Sequence, residues 1–397
     1  MMGNWKTCTI GDLGRVVGGA TPSTKKAENY DGGTIAWITP KDLAGFSGRF
    51  ISRGERNITE QGLKSCSTQL MPAHTVLFSS RAPIGYIAIA EQEVCTNQGF
   101  KSVVPDEKTD YMFLYYLLKY NKEKIENLGS GTTFKEVSGS TMRGIEVRVP
   151  ETIEEQQRIA SVLSALDDKN EKNTEVNENL EQQAQAYFQE LFIDNADPAW
   201  TLGTVSDLGA VVGGSTPSKA KPEYYTEDGI AWITPKDLSI NKAKFVSHGE
   251  NDITKLGLKN SSASIMPEGT VLFSSRAPIG YIAIASGEVT TNQGFKSVVP
   301  KPEIGTAYVY YFLKHNLPII EGMASGSTFK EVSGSTMKNV PAVIPDTETL
   351  ACFNNFCAPI FAQQRILEEQ NQSLVTLRDS LLPKLMSGEI DVSGIQL

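Results

Sequence analysis

Several chemical features are scarce or missing in this 397-residue sequence, and each absence argues against a class of protein. There are five cysteines, an odd number, and no Cys-x-x-Cys pair, which predicts reduced thiols rather than a disulfide framework or a zinc site. No apolar run reaches the roughly 18 residues of a membrane span, and Met1–Ile10 lacks the pattern of a signal peptide. We therefore expect a soluble cytoplasmic protein of two or three domains.

Catalytic signatures are missing as well. An adenine methyltransferase holds its flipped base with an Asn/Asp-Pro-Pro-aromatic loop, and the nearest match, Asp197–Trp200, lacks the second proline. Gly11–Gly14 is not a dinucleotide fingerprint, and the sequence has no Walker-type phosphate loop. His74, His248 and His315 have no equivalents in the repeat described below, so we expect surface histidines rather than metal ligands or general bases. Nothing here predicts a catalytic or metal site.

The net charge of -9 is unevenly distributed along the chain. Residues 1–150 contain 18 basic and 15 acidic side chains, a net charge of +3, and residues 197–345 contain 13 of each. The acidity lies in residues 151–196, with a net charge of -8, and in residues 346–397, with a net charge of -4. A neutral block can still present a basic face, which is all that phosphate contact requires. Charge permits nucleic-acid binding without proving it.

The dominant feature is an internal repeat, in which each position recurs 195 residues later, as Thr39 does at Thr234. Ala36–Leu43 returns unchanged at Ala231–Leu238, and residues 71–90 differ from residues 266–285 at two of twenty positions. The other matching segments are Gly18–Ser23 with Gly213–Ser218, Asn97–Pro105 with Asn292–Pro300, and Thr133–Met142 with Thr328–Met337. A unit of this length that occurs twice indicates a duplicated domain rather than a solenoid.

Each copy mixes short β-rich runs, bounded by glycine and proline, with apolar helical runs. We predict strands at Ile35–Ile38, Thr75–Phe78, Tyr86–Ile89, Phe100–Val104 and Ile145–Val149, and core helices at Tyr111–Lys119 and Tyr308–Lys314. Each copy is therefore predicted to be an α+β globule.

The segments that follow the two copies have a helical pattern, with apolar residues at three-to-four spacing. Residues 153–192 contain neither proline nor glycine, whereas Pro359 and Pro383 should kink or end the second helix. Amides lie on the same stripes, namely Asn170, Asn173, Asn177, Gln364 and Asn371. Because neither helix can bury its stripe alone, we predict an antiparallel pair whose amides set the register. The alternative is that each helix folds onto its own globule.

The order globule, long helix, globule, long helix resembles the DNA-specificity subunits of type I restriction-modification systems. Trp37–Leu43, Ser79–Gly85 and Asn97–Lys101 look like segments of a common class of target-recognition domain in that family, and Leu381–Ile390 resembles the usual end of its C-terminal helix. The resemblance covers essentially the whole chain. It implies an α+β fold, with two duplicated α/β target-recognition domains separated by two long helices packed as an antiparallel coiled coil. The implied boundaries are 1–150 and 197–346 for the recognition domains, 151–196 for the central spacer helix and 347–397 for the C-terminal spacer helix.

The resemblance also implies a DNA-binding protein with no catalytic activity and no cofactor of its own. Each recognition domain would read one half of a bipartite double-stranded DNA target, and the helix pair would set the gap. The implied partners are two modification subunits, which bind S-adenosylmethionine and methylate adenine, and restriction subunits that cleave unmodified DNA. Because the two domains are nearly identical, the half-sites should be alike and inverted, which gives a gapped palindrome.

Candidate DNA contacts are cationic, amide and hydroxyl side chains in loops beside strands, since these groups reach phosphates and base edges. Arg276 is the only arginine in residues 197–345 and its equivalent Arg81 is retained, which favours this pair. The candidates are Lys41, Ser79, Ser80, Arg81, Asn97, Gln98, Lys101, Thr133 and Lys135 in the first copy and Lys236, Ser274, Ser275, Arg276, Asn292, Gln293, Lys296, Thr328 and Lys330 in the second. Identical residues can equally be those that the shared fold requires. The copies differ most at residues 44–50 and 106–127, where any difference in base preference is expected to arise.

Three alternatives remain open at this point. The chain could serve a methyltransferase, or a fused methyltransferase-nuclease, without a separate restriction subunit. It could be a single-chain DNA methyltransferase, although the missing motifs argue against this. It could also be a duplicated scaffold that binds protein or carbohydrate, and salt would distinguish that case because phosphate-based binding weakens steeply as salt concentration rises.

Overall fold

The protein is described by a computed structural model that covers residues 4–131, 135–326 and 330–395. The chain forms two compact units, of which the first consists of residues 1–172 and 372–397 and the second of residues 173–371. Each unit contains one copy of the repeat and a stretch of each long helix. Among the residues described, no helix is both long and apolar enough to cross a membrane.

The repeat copy of the first unit is a mixed α+β domain. Its strands are Trp5–Thr9, Gly14–Gly18, Ile35–Ile38, Phe50–Ile51, Arg56–Ile58, Val76–Phe78, Ile87–Ala90, Val94–Thr96, Lys101–Pro105 and Glu146–Pro150. Its short helices are Ile10–Asp12, Ala27–Asn29, Pro40–Leu43, Glu60–Lys64, Tyr111–Tyr120, Lys122–Asn127 and Gly139–Arg143. The five predicted strands and the first predicted core helix are therefore confirmed to within one residue at each end.

These strands form three sheets. The largest has the strand order 14–18, 101–105, 76–78, 87–90 and 50–51, in which only the last pairing is parallel. A second sheet has the order 56–58, 35–38 and 94–96, and residues 5–9 pair antiparallel with residues 146–150. The helix Tyr111–Tyr120 is buried against the large sheet, with Phe113, Tyr116 and Leu117 in the core. Burial of such side chains stabilises the domain by about 1.5–3 kcal/mol each.

The second unit repeats this architecture. Its strands are Thr201–Thr204, Gly209–Gly213, Tyr225–Thr226, Ile230–Ile233, Phe245–Val246, Asn251–Ile253, Val271–Phe273, Ile282–Ala285, Thr290–Thr291, Lys296–Pro300 and Pro341–Ile344. Its short helices are Val205–Leu208, Pro222–Tyr224, Pro235–Ile240, Lys255–Lys259, Thr306–His315, Leu317–Gly322 and Gly334–Lys338. The five-stranded sheet has the same order of equivalent strands, while Tyr225–Thr226 adds a fourth strand to the smaller sheet.

Side-chain caps mark where the short helices begin. Asp110 accepts the N–H of Phe113 at 2.8 Å at the start of Tyr111–Tyr120. Thr39 donates both its N–H and its hydroxyl to the Asp42 carboxylate, at 2.7 and 2.6 Å, at the start of Pro40–Leu43. The same box recurs in the second unit between Thr234 and Asp237. Such contacts satisfy backbone N–H groups that the first turn of a helix leaves without partners.

Two long helices complete the fold. The central helix, Ile153–Gln189, is followed by a π-helical turn at Glu190–Asp194, and the C-terminal helix is Thr347–Met386. Pro359 and Pro383 lie inside the C-terminal helix, so the helix ends at neither proline. Each proline removes one backbone hydrogen bond. At Pro383, the neighbouring side chains of Leu382 and Leu385 are buried in a domain core. This packing stabilises the helix on both sides of Pro383.

In the first unit, both long helices contribute to one hydrophobic core. Ile159 and Leu163 of the central helix and Leu382 and Leu385 of the C-terminal helix are buried in the same cluster as the domain helix Tyr111–Tyr120. Arg378 also donates to Asp167 at 2.7 Å, which joins the two helices by a largely buried ion pair. The helices thus pack on each other and on the globule, which combines the two arrangements expected from the sequence.

In the second unit, amide side chains join the helices. Asn173 donates to Gln370 at 3.3 Å, Asn177 donates to Glu368 at 3.3 Å, and Gln364 donates to the carbonyl of Asn177 at 3.2 Å. Partner numbers fall along one helix as they rise along the other, so these segments are antiparallel. Three of the amides on the predicted stripes, Asn173, Asn177 and Gln364, therefore form hydrogen bonds between the helices.

The chain leaves the C-terminal helix through a sharp turn against the first domain. Gly388 has a φ of 76°, a conformation that favours glycine, and a Cβ atom there would lie 2.8 Å from Nε1 of Trp5. Val392 is then buried in the core of the first unit. Residues beyond the helix are therefore part of that core.

Candidate nucleic-acid interface

The repeated sequence motifs meet in one place within each domain. In the first copy the backbone N–H of Ser80 donates to the carbonyl of Gly99 at 2.7 Å, and the N–H of Val137 donates to the carbonyl of Ser80 at 2.9 Å. In the second copy the equivalent bonds, from Ser275 and Val332, have the same lengths. We call this meeting point the loop cluster: residues 79–85, 97–101, 130–131 and 135–138 in the first copy, and residues 274–280, 292–296, 325–326 and 330–333 in the second.

A three-residue charge network lies in the loop cluster. Arg81 Nε is 3.0 Å from one oxygen of Glu136, and Lys101 Nζ is 3.4 Å from the other. In the second copy, Arg276 Nε is 3.1 Å and Lys296 Nζ is 3.7 Å from Glu331. The arginine side chains remain 45% and 47% exposed, so each network presents a guanidinium group to solvent. Burial lowers the pKa of Lys296, and the carboxylate of Glu331 opposes that shift.

The candidate serines have structural roles in the described conformation. Ser79 and Ser80 are completely buried, as are Ser274 and Ser275. Ser79 Oγ donates to the carbonyl of Pro83 at 2.8 Å and accepts the N–H of Tyr86, while Ser80 Oγ donates to the carbonyl of Gly99 at 3.2 Å. Ser274 and Ser275 make the same bonds in the second copy. These hydroxyls hold the loop that contains the arginine, and solvent does not reach them.

The two amide candidates differ in their surroundings. Asn97 accepts the N–H of Gly99 at 2.8 Å, which closes a tight turn, and Asn292 does the same for Gly294. Gln98 is exposed, and its amide oxygen accepts a hydrogen bond from Thr21. Gln293 has the same partner type in Thr216. The asparagines therefore support the turn, and the glutamines are the amides at its surface.

The remaining candidates with described side chains are four lysines, of which Lys135 and Lys330 belong to the loop cluster and Lys41 and Lys236 lie outside its residues. Lys41 is 78% exposed and forms a 2.6 Å ion pair with Glu55, and Lys236 forms the equivalent pair with Glu250 at 2.5 Å. The hydrogen bond to Glu55 raises the pKa of Lys41 above its ordinary value. Lys135 and Lys330 are exposed. Thr133 and Thr328 lie outside the described residues.

Glu136 and Glu331 are not among the candidates predicted from the sequence, because those candidates are groups that attract phosphate or hydrogen-bond to bases. The signal was nevertheless present, since both glutamates fall within the matching segments 133–142 and 328–337. A glutamate that recurs beside the same cations in both copies can be predicted to form an internal salt bridge with them.

Two features that were considered as possible catalytic or metal-binding signals have other contacts in the structure. Within the ranges that it describes, no group of three or more His, Cys, Asp and Glu side chains could hold a metal ion. Asp197 accepts the N–H of Ala199 at 2.8 Å, and Trp200 donates to Asp346 at 3.0 Å, so Asp197–Trp200 is a turn at the entry to the second domain. His74 stacks on Tyr111 with 4.1 Å between ring centroids.

In both copies, the segments that differ contain buried residues that contact the long helices. Arg49 is only 4% exposed and donates to Glu171 through Nε and Nη2, both at 2.9 Å. Lys244, its equivalent, is 7% exposed and donates to Gln364 at 2.6 Å and to Glu181. We call these contacts the helix seats. The first is formed by Arg49 and Tyr116 with Asp167, Asp168 and Glu171, and the second by Lys244 and Tyr311 with Glu181 and Gln364.

Comparisons with known proteins agree on one family. A sequence model of the type I restriction modification DNA specificity domain matches residues 2–182 and 199–372. The specificity subunit of the type I restriction enzyme MjaIX from Methanocaldococcus jannaschii is 33% identical over 430 residues, which cover 99% of this chain and 95% of that protein. The HindI specificity subunit from Haemophilus influenzae is 24% identical over 359 residues, 70% of this chain and 77% of that one.

A solved structure shows the same fold. The crystal structure of a type I restriction-modification S subunit from M. genitalium superimposes with a TM-score of 0.62 at 20% identity and covers 96% of each chain. A single-chain methyltransferase and a protein-binding scaffold do not fit this set of relatives. With a family domain in both halves and a relative that matches along its whole length, the chain belongs to the DNA-specificity subunits of type I restriction-modification systems, which are non-catalytic and assemble with the subunits that methylate and cleave.

Proposed function

We propose that each recognition domain reads one half of a bipartite DNA target with its loop cluster. The observation that carries this proposal is the recurrence of one charge network, Arg81–Glu136–Lys101, as Arg276–Glu331–Lys296 with nearly the same distances. The surface glutamines, Gln98 and Gln293, lie on the adjoining turn. Arginine and glutamine side chains can contact base edges, and lysine side chains can contact phosphates. Each copy brings side chains of these three types close together.

The residues of the loop cluster and the two lysines outside it, Lys41 and Lys236, have different proposed roles. Arg81 and Arg276 can each donate two hydrogen bonds to guanine O6 and N7, and an exposed glutamine can pair with adenine in the same bidentate way. Lys41, Lys135, Lys236 and Lys330 are proposed phosphate contacts, since a flexible ammonium group gives position without sequence information. The buried serines and the turn asparagines hold these side chains in place.

Like domains should read like half-sites. In this proposal the two long helices form an antiparallel coiled coil that sets an unspecified gap, and the target is a gapped palindrome. The antiparallel helix contacts within the second unit, such as Asn173 with Gln370, support this arrangement. Most specificity determinants would then be the same in both halves, because the loop clusters are the same.

The proposed partners carry out the chemistry. Two modification subunits, each binding S-adenosylmethionine, would methylate adenine in the two half-sites, and restriction subunits would cleave unmodified DNA. This chain would contribute no cofactor. Its five free cysteines are consistent with a place in the cytoplasm, where thiols stay reduced.

The first experiment is to co-express this chain with its modification subunit and to map N6-methyladenine across the DNA of the expression host. A gapped, palindromic methylated motif that disappears without this chain is the expected result. An asymmetric motif would show that the segments that differ between the copies, and not the identical loop clusters, read the bases. Absence of any motif in an assembled complex would contradict the proposed function.

Single arginine variants test the loop cluster within the same map. Arg81→Ala should relax the base requirement in one half-site and Arg276→Ala in the other. The loss of discrimination should be about 1–3 kcal/mol each, or roughly 5- to 150-fold, the value of one good bidentate contact. Lys108→Ala, which removes an exposed cation outside the loop cluster, is the control and should leave the motif unchanged. A motif that survives both arginine variants would exclude Arg81 and Arg276 as base readers.

A further inference from the structure

The acidic residue at the centre of each charge network is unexpected on a DNA-binding surface. A carboxylate repels phosphate, so charge alone would favour its loss at this position. Yet Glu136 and Glu331 occupy equivalent places in the two copies, and each contacts an arginine and a lysine. Such a residue needs a role that outweighs its repulsion of DNA.

The backbone holds each glutamate in a defined place. Glu136 exchanges two hydrogen bonds with Ser130, at 2.9 and 3.0 Å, and Val137 donates to the carbonyl of Ser80, next to Arg81. Glu331 and Ser325 exchange the same pair at 2.8 and 3.0 Å. The carboxylate therefore belongs to the framework of the loop cluster and is not a surface side chain that meets the arginine by chance.

The contact is made through one edge of the guanidinium group. The ion pair joins Nε of Arg81 to the carboxylate, while nearly half of the arginine side chain stays exposed. A guanidinium held at Nε has its plane and direction fixed, and its terminal amino groups are the ones that a guanine edge would receive. Fixing a long side chain before binding lowers the entropy lost on binding.

We propose that Glu136 and Glu331 are positioning residues for base reading: each lowers general DNA affinity but raises discrimination by aiming its arginine. The same carboxylate separates the arginine from the neighbouring Lys101 or Lys296, whose charge would otherwise repel it. This inference rests on the proposed function of the loop clusters. It assigns a specificity-determining role to an acid that need not touch DNA.

The test compares Glu136→Gln/Glu331→Gln with the wild-type chain, each assembled with the modification subunit. Binding is measured to a duplex that contains the methylated motif and to a scrambled duplex, over a range of salt concentrations. Affinity for the scrambled duplex should rise, and the slope of log K against log salt should steepen by up to about 1 per carboxylate removed. The ratio of target to scrambled affinity should fall by at least about tenfold.

The control makes the same charge change at another repeated pair. Glu126 and Glu321 are exposed, lie in the helices Lys122–Asn127 and Leu317–Gly322, and occupy equivalent positions in the two copies. Glu126→Gln/Glu321→Gln should leave the ratio of target to scrambled affinity unchanged. A ratio that falls equally in both double variants would overturn the proposal, because general charge would then explain the loss.

A double-mutant cycle separates positioning from direct reading, since a carboxylate can also accept a hydrogen bond from cytosine. In an Arg81→Ala/Arg276→Ala background, the glutamine substitutions should change the ratio no further. A further fall would show that the glutamates read bases themselves.

If the arginine variant keeps wild-type discrimination, the proposed function fails. If only the glutamine variant keeps it, the positioning role alone fails. Should the double glutamine variant not fold, the single variants Glu136→Gln and Glu331→Gln test one half-site each.

Discussion

The loop clusters and the helix seats are two regions of the same duplicated domain, and they have diverged to very different degrees. The ion pairs of the loop clusters are repeated residue for residue, with 3.0 and 3.1 Å between the arginine and the glutamate. At the helix seats, the buried cation is Arg49 in one copy and Lys244 in the other, and its partners differ in number and type. After the duplication, the loop clusters have stayed the same in the two copies, whereas the helix seats have changed.

The difference shows where sequence divergence is informative and where it misleads. Residues 44–50 and 106–127 were expected to hold any difference in base preference. The first segment contains Arg49, whose equivalent is Lys244, and each of these cations donates to a glutamate of the central helix. Each copy packs on a different stretch of helix, so a contact residue can change even if the DNA target does not. Packing therefore accounts for the divergence at this position, whereas Tyr116 of the second segment is identical to its equivalent, Tyr311.

The largest effect is expected from breaking the second helix seat at its acid. Glu181 accepts from Tyr311 at 2.9 Å and from Lys314 at 2.6 Å, and it also pairs with the buried Lys244. Glu181→Ala leaves the Lys244 ammonium buried without its main partner, so the free energy of unfolding of the chain should fall by about 3–5 kcal/mol. Urea denaturation would measure the loss. Glu178→Ala, at an exposed position one turn earlier, should change it by less than about 0.5 kcal/mol.

The same seat should respond to acid. Burial raises the pKa of Glu181, but Lys244 and Lys314 outweigh that effect and hold the pKa at about 2. A carboxyl group whose pKa is depressed by folding stabilises the protein above its unfolded value near 4.5 and loses that contribution as the pH falls toward 2. The stability gap between wild type and Glu181→Gln should therefore shrink over this range. A gap that is constant with pH would mean that the ion pairs of Glu181 do not contribute.

Exchanging the buried cations tests whether the seats are interchangeable. Arg49→Lys loses the two-pronged contact with Glu171, and we expect a loss of about 1–2 kcal/mol. Lys244→Arg places a larger group among the rings of Tyr310, Tyr311 and Phe361, and overpacking should cost about 1–3 kcal/mol. Thermal unfolding of each variant, compared with wild type, measures both effects. If neither exchange lowers stability, the two seats are equivalent and the contrast with the loop clusters disappears.

The smallest effect is expected at the helix caps of the repeated segments, where the two copies make the same contacts. Thr39 and Thr234 cap equivalent helices with the same hydrogen bonds, at 2.6 Å from the hydroxyl in both copies. Thr39→Ala and Thr234→Ala should each lower the unfolding free energy by about 1 kcal/mol, the usual value of such a cap. Chemical denaturation of the two variants in parallel should give equal losses. Unequal losses would show that the repeated segments differ in stability despite their identical contacts.

Much of the fold could be predicted from the sequence, because each motif occurs twice and the two copies indicate the same structure. Strands such as Ile35–Ile38 and the amides of the long helices were predicted, since local pattern and periodicity determine both. The charge network was only partly predicted, because Glu136 is visible as a partner of Arg81 only once residues 55 positions apart are brought together. The helix seats were not predicted at all. Arg49 and Glu171 are 122 residues apart, and no local pattern marks either as buried.

The candidate serines show that sequence does not determine which side chains are exposed. Ser79 and Ser80 looked suitable for DNA contact because they are small, polar and next to Arg81. The strand Val76–Phe78 leads directly into them, and the antiparallel bridge between Ser79 and Phe100 continues its pairing. Both serines are buried, and their hydroxyls donate to the carbonyls of Pro83 and Gly99. Sequence identifies polar residues in a loop, whereas the direction of each side chain depends on strand pairing that lies elsewhere in the chain.

The make-up of the first unit also has a consequence for how the protein is synthesised. Leu382, Leu385 and Val392 belong to the core of that unit, yet the ribosome adds them after the whole of residues 173–371. The second unit is continuous in sequence and has all of its residues once that stretch has emerged. The domain that is translated first is therefore the last to be completed, and a frameshift within the second copy would leave the nascent first unit with an open hydrophobic face.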